Sequence, residues 1–453
     1  MLKQLKQIWH LGLPLSLTFV IQMVIVMVDS VFAGNISYVT LAAVSLGSST
    51  FYIFLLFLIG IGIASSVMAG QASGAGDDDA MLNCFRQGAL LCLLIGFVMS
   101  IALLNLEPIL LRLGQEPEVV ALTIPYLKWF AWILPIQALI VLIRSYFAVI
   151  DRPWATVLPV IWALLLNTLL DYCLATGNLG FPAMGISGIG LASLISNIVL
   201  LGLMLRSMGV PVALELFHFK RPSVWQNNGL GKLFLVSSPI AVTLVTEEAF
   251  FSGSVFLAGY LGAAEQAAHQ ILFNTIGMSY LFNSGIAVAC SILIGKCVGA
   301  GTTKQIMPIV KAGWVLAQVF TLPFVLILVL FGDQWINLFL DETLARNDAT
   351  IFFVNSVMWI AIVILFVDTV WLVIIESLHG LLDTTYPAIC AFAAYWVIGM
   401  PLAYWATQYA DKPYTWLWFA MLLAICLLTV LVYTRLRYKI RQLNSLDNNV
   451  QAI

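Results

Sequence analysis

Residues 56–76 read LFLIGIGIASSVMAGQASGAG, and residues 281–301 read LFNSGIAVACSILIGKCVGAG. The two stretches share one ungapped register. Leu56-Phe57 falls on Leu281-Phe282, Gly60-Ile61 on Gly285-Ile286, and Gly74-Ala75-Gly76 on Gly299-Ala300-Gly301. Toward the N-terminus the same register sets Pro14 on Pro239, Thr18 on Thr243, Ala33-Gly34 on Ala258-Gly259 and Ala42-Ala43 on Ala267-Ala268. A slightly longer offset later sets Asp151 on Asp383 and Tyr172 on Tyr404. A period this long belongs to a duplicated half-protein rather than to a solenoid.

Composition gives the duplication its meaning. The 453 residues are 62% hydrophobic and 9% charged, against about 45–50% and about 25% in soluble domains. Twelve apolar runs are long enough to cross a bilayer, which takes roughly 20 residues each. They centre near residues 22, 55, 95, 137, 165, 198, 244, 282, 318, 365, 396 and 425. The predicted fold is all-α and polytopic, with twelve transmembrane helices in two pseudo-symmetric six-helix lobes. Six spans per half make this a 6+6 parallel repeat about an axis along the membrane normal, an arrangement common among secondary transporters, whose substrate sites lie where the halves meet. Residues 1–208 form an N-lobe and 209–229 (GVPVALELFHFKRPSVWQNNG) a cytoplasmic linker; 230–437 form a C-lobe and 438–453 a cytoplasmic tail.

Charge placement orients the chain. With the N-terminus inside, only Arg112, Lys128, Arg346 and Lys412 of the twenty lysines and arginines fall outside. That bias places both termini in the cytoplasm. The first span runs past signal-peptide length and has no A-x-A site before Asp29, so it is read as a membrane helix. The acidic run Asp77-Asp78-Asp79 reads as a solvated cytoplasmic turn. The seven cysteines lack a C-x-x-C and read as apolar packing residues, with no metal site.

An intramembrane carboxylate costs at least a few kcal/mol, so each is a functional candidate before it is a helix contact. Asp29 in span 1, Asp171 in span 5, Glu247 in span 7 and Asp368 in span 10 stand out, with Glu248 and Glu376 weaker. Asn167 lies four residues before Asp171 and shares its helix face. A buried carboxylate backed by an amide suits a proton or a small hard cation such as sodium. Pro14 removes a helix hydrogen bond and is expected to bend span 1, which carries Asp29. Phe32, Tyr52 and Trp371 lie near these acids and are candidates for lining an organic-cation site. No H-E-x-x-H, G-x-S-x-G or Walker motif occurs, which argues against an intramembrane enzyme or an ATP-driven pump. QASGAGDDD stands where a major-facilitator transporter carries a basic, glycine-rich turn.

These residues resemble the multidrug and toxic compound extrusion (MATE) family, and more closely its NorM-like bacterial branch. The resemblance covers roughly residues 10–437. It rests on Pro14 followed by VDSVFAG around Asp29, the turn QASGAG, Pro239 with Glu247, AAHQ at 267–270, and Asp368 through SLHGLLD to Asp383. It implies an exporter of organic cations and amphipathic drugs, exchanging them for protons or sodium in a bacterial inner membrane. The resemblance marks Asp29, Asn167, Asp171 and Ser193 as an N-lobe cation site and Glu247 and Asp368 as a C-lobe cation or substrate site. It marks Pro14 as the bend in span 1. Ile364 replaces a tyrosine that some NorM-like members carry one turn before the span-10 aspartate. That weakens a sodium site in the C-lobe, and the aspartate at 171 in the N-lobe set resembles the branch debated as proton-coupled. The chain carries both sets, so the ion is open between proton and sodium, with protons favoured. No cofactor beyond the coupling ion, no nucleic-acid partner and a monomeric chain are expected. A lipid-linked oligosaccharide flippase of related fold is the nearest alternative, but it calls for a more basic cavity.

Overall fold

A computed structural model of the protein describes residues 1–225, 228–337 and 348–450, with side chains through residue 445. Arg346, counted above among the outer charges, lies outside the described residues. Twelve helices among those described are long and apolar enough to cross a membrane, and no strand occurs among them. They are α1 (Leu2–Ile36), α2 (Tyr38–Gly74), α3 (Asp78–Leu104), α4 (Pro117–Val149), α5 (Val157–Leu174) and α6 (Ile186–Met208). The second set is α7 (Gly229–Leu261), α8 (Ala263–Gly299), α9 (Ile306–Leu330), α10 (Asp348–Gly380), α11 (Thr385–Tyr409, π-helical over Ala393–Gly399) and α12 (Pro413–Val450). Each predicted span centre falls inside one of these helices. The segment read as a tail from 438 continues α12 as helix to Val450.

The turns follow from local chemistry. Gly76 and its repeat partner Gly301 both take a left-handed backbone, with φ of 77° and 65°. Asp77 does more than solvate its turn: its carboxylate accepts from the backbone N–H of Ala80 at 2.8 Å and caps α3. Asp78 and Asp79 then sit in the first helical turn, where the helix dipole favours negative charge.

The chain divides into two compact units, Leu17–Ala241, and Met1–Ser16 with Val242–Ile453. The breaks fall two residues after Pro14 and two after Pro239, so they obey the same 225-residue register as the repeat. In the first unit α4 packs on α2, α3 and α6; in the second α10 packs on α8, α9 and α12. Both are the fourth helix of their half.

Small residues let backbones approach, as expected where lipid gives helices no hydrophobic reason to associate. In the first unit, a Cβ on Gly60 of α2 would stand 3.0 Å from the carbonyl oxygen of Ser237 and from the N of Ala241. In the second unit, its repeat partner Gly285 of α8 meets Gly12 and Ser16 in the same way, and Ser16 Oγ donates to the Phe282 carbonyl at 2.5 Å. The short leading segments of α1 and α7 are thus held by equivalent glycine contacts.

The linker packs within the first unit as two short helices, Val210–Leu216 and Pro222–Trp225. One face of α3 holds it. Asn83 Nδ2 donates to Ser223 O at 3.0 Å and Gln87 Nε2 to Val224 O at 3.1 Å. Buried Arg86 pairs with Glu215 at 2.7 Å, and Arg221 meets the other oxygen of Glu215 at 2.8 Å.

Candidate cation sites

In the first unit, α1, α5 and α6 bring Asp29, Asn167, Asp171 and Ser193 together, all at most 3% exposed. Ser193 Oγ donates to Asp29 Oδ2 at 2.8 Å, and Asn167 Nδ2 donates to Ser193 Oγ at 3.3 Å. Asp171 faces Asp29. A tight α5–α6 connection sets this geometry. Met184 N donates to Leu174 O at 2.8 Å, and Gly188 at the start of α6 lies against that same carbonyl.

The balance of donors and acceptors is the informative feature. Asp29 Oδ1, Asn167 Oδ1 and both oxygens of Asp171 are buried without a hydrogen-bond partner. Buried polar atoms are normally satisfied, so a cluster of unpaired oxygens marks a place where a proton, ion or water belongs. Two carboxylates in one dry cluster also repel, and a shared proton or a hard cation on those oxygens relieves both problems.

Tyr126 of α4 belongs to this region, although no local pattern marks it. It is fully buried, lies within electrostatic reach of Asp29 and Asp171, and shares a 3.0 Å hydrogen bond with Ser48. Gly47 makes room for its ring, since a Cβ there would stand 2.6 Å from the tyrosine.

The second unit holds a separate acid pair. Glu247 of α7 and Asp368 of α10 interact, and each is at most 7% exposed. Trp371 is buried and donates its indole N–H to Glu247 Oε1 at 3.1 Å, so its polar edge is engaged with the acid. Asp368 Oδ1 and the Tyr395 hydroxyl lack partners. Tyr395 lies within reach of both acids, on the π-helical turn of α11, and stacks on Phe250 with centroids 4.7 Å apart. Single π-helical turns recur at functional sites because they redirect side chains out of α-helical register. Ile364 is buried one turn before Asp368. Glu248 is half-buried and accepts from Ser252 at 3.4 Å. Phe32 is half-buried and Tyr52 is 39% exposed. Pro14 lies inside α1, which runs as one helix from Leu2 to Ile36.

The two acid pairs, one per unit, are thus differently lined. One family model, MatE, matches residues 14–173 and again 239–405, so each match begins at one of the paired prolines. The chain belongs to the MatE family. Among its relatives is the "Probable multidrug resistance protein NorM" of Mesorhizobium japonicum, 31% identical over 94% of this chain and 92% of that protein. The protein of the same name from Rhizobium meliloti is also 31% identical, over 88% and 85%. Similar solved structures include a MOP-superfamily transporter of Pyrococcus furiosus, described as having a binding pocket of reverse polarity, with TM-score 0.87, 17% identity and 97% coverage of each chain. The Vibrio cholerae MATE transporter VcmN in its bent form matches at TM-score 0.84 and 17% identity, over 98% of both chains. These structures share the fold.

Proposed function

We propose that the chain is a multidrug exporter of a bacterial inner membrane, with both termini cytoplasmic, that exchanges organic cations and amphipathic drugs for protons by alternating access. The unpaired, buried oxygens of Asp29, Asn167 and Asp171 are the observation that carries this reading. The names of the NorM relatives support efflux of drugs, and membership of a transporter family argues against catalysis.

In this mechanism a proton enters the Asp29–Asp171 cluster from the outer side. Neutralising the pair lets α1 rearrange about Pro14 and releases drug outward. A cationic drug and the proton compete for the same negative charge, which is the simplest physical basis for exchange. The ion drives the cycle because it binds the two states unequally. Glu247 and Asp368 supply a second acid pair for cation or substrate. Sodium is the second reading, favoured by the all-oxygen acceptor set.

Binding of tetraphenylphosphonium to the purified protein tests the competition. Affinity is expected to fall as pH falls, with protons released into weakly buffered solution as the cation binds. Pure sodium competition with no proton release would replace the proton by sodium; binding indifferent to both would end the reading.

A further inference from the structure

The motif SLHGLLD holds one acid before it, Glu376, and one at its end, Asp383, and the structure treats them oppositely. Asp383 is satisfied: Arg435 Nε donates to it at 2.7 Å and Lys439 lies at 3.6 Å, both from α12. Glu376 has no such partner. It is 5% exposed, and its Oε1 meets Nδ1 of His379, itself 2% exposed, at 3.2 Å. Glu376 Oε2 and His379 Nε2 are both buried and unpaired. Buried polar atoms are normally paired, so two orphans on one acid–imidazole contact call for a proton or water.

We infer that Glu376 and His379 form a proton-transfer dyad through which Asp368 exchanges its proton with the face at the C-terminal end of α10; this rests on the proton-coupled reading above. His379 follows Asp368 by eleven residues and Glu376 by eight, which at 100° per residue turns them by about 20° and about 80° from it. All three therefore lie toward one side of α10, spaced by about 12 and about 16 Å of helix rise. Gly380 lets the end of α10 pack closely on the Ser291 carbonyl and Ile294 of α8. Cys290 of α8 lies within electrostatic reach of Glu376, and α12 spends Arg435 and Lys439 on Asp383. Chains of Asp, Glu and His inside membrane helices are the usual material of proton relays.

The step balances as proton transfer alone. A proton leaving Asp368 must cross about 12 Å of helix rise on water admitted during the cycle, and is taken by Glu376 Oε2. The dyad starts as Glu376 Oε1–H facing Nδ1, with the imidazole proton on Nε2. The arriving proton stays on Oε2, the Oε1 proton passes to Nδ1, and the Nε2 proton is released, so one proton enters and one leaves. Only O–H and N–H bonds change.

The test is proton-driven tetraphenylphosphonium uptake in everted vesicles, which turn this face toward the bath. His379→Ala is expected to slow uptake about tenfold or more, to leave tetraphenylphosphonium affinity within about twofold, and to regain speed when imidazole is added. If His379→Ala does not fold, Glu376→Gln with azide as the diffusible proton carrier is the equivalent experiment. Uptake at the wild-type rate, or slow uptake that the added carrier does not restore, would overturn the dyad. Wild-type vesicles that show no proton drive would instead overturn the coupling reading, and the dyad with it.

Discussion

Asp29 is tied through one oxygen to Ser193 while the other has no partner, and that asymmetry makes a substitution informative. Asp29→Asn keeps the Ser193 contact and offers an N–H toward Asp171, so it imitates a permanently protonated acid. Export is expected to stop while expression and insertion remain normal. Drug resistance of cells expressing the variant checks this, and full resistance at normal levels would remove Asp29 from coupling. The acids were legible because charge in an apolar helix is rare, and Asn167 because it shares a face with Asp171. Ser193 came only with the family resemblance. Tyr126 and Tyr395 carry no local signal, since they are two among fourteen tyrosines. Their nearness to the acids depends on how α4 and α11 pack, which hydropathy does not encode.

At the scale of elements, the repeat singled out Gly60 and Gly285 but not what they touch. Gly285→Val forces a side chain into the backbone of Gly12 and Ser16, and overpacking of this kind costs about 1–3 kcal/mol or more. Its melting temperature in detergent is expected to drop, as is that of Gly60→Val. Gly277→Ala, where a Cβ meets nothing within 4 Å, is expected to leave it unchanged. Equal melting temperatures for all three would make the glycine crossings incidental. The linker gives a pH prediction. Burial pushes the Glu215 carboxyl up, but Arg221 and Arg86 outweigh that and hold it below the usual carboxylate value of about 4.5. A lowered pKa in the docked state stabilises docking fully above that value, and the contribution is lost as pH falls through the lowered one. Hydrogen exchange across residues 209–225 should stay protected from neutral pH to about 4.5 and rise in more acid solution. Glu215→Gln should raise it already at neutral pH, because Arg86 then stays buried without its ion pair. The linker's loop character was readable from its proline and charge; its docking was not, because the clasp joins residues 129 positions apart.

Over the whole molecule, duplication and hydropathy made the twelve helices and the pairing of the halves readable. The division after Ser16 and Ala241 was not, because it falls inside two continuous apolar helices where composition does not change. Both breaks follow the paired prolines, whose missing hydrogen bonds make those helices easiest to bend there. Pro14→Ala is therefore expected to slow drug transport while leaving drug binding intact, measured as uptake rate against affinity on the same preparation. The most direct test of the account is tetraphenylphosphonium transport by the purified protein in proteoliposomes under separately imposed proton and sodium gradients. A proton gradient alone is expected to drive accumulation, and a sodium gradient at equal pH is expected not to. Accumulation driven by sodium alone, or indifferent to both gradients, would contradict it.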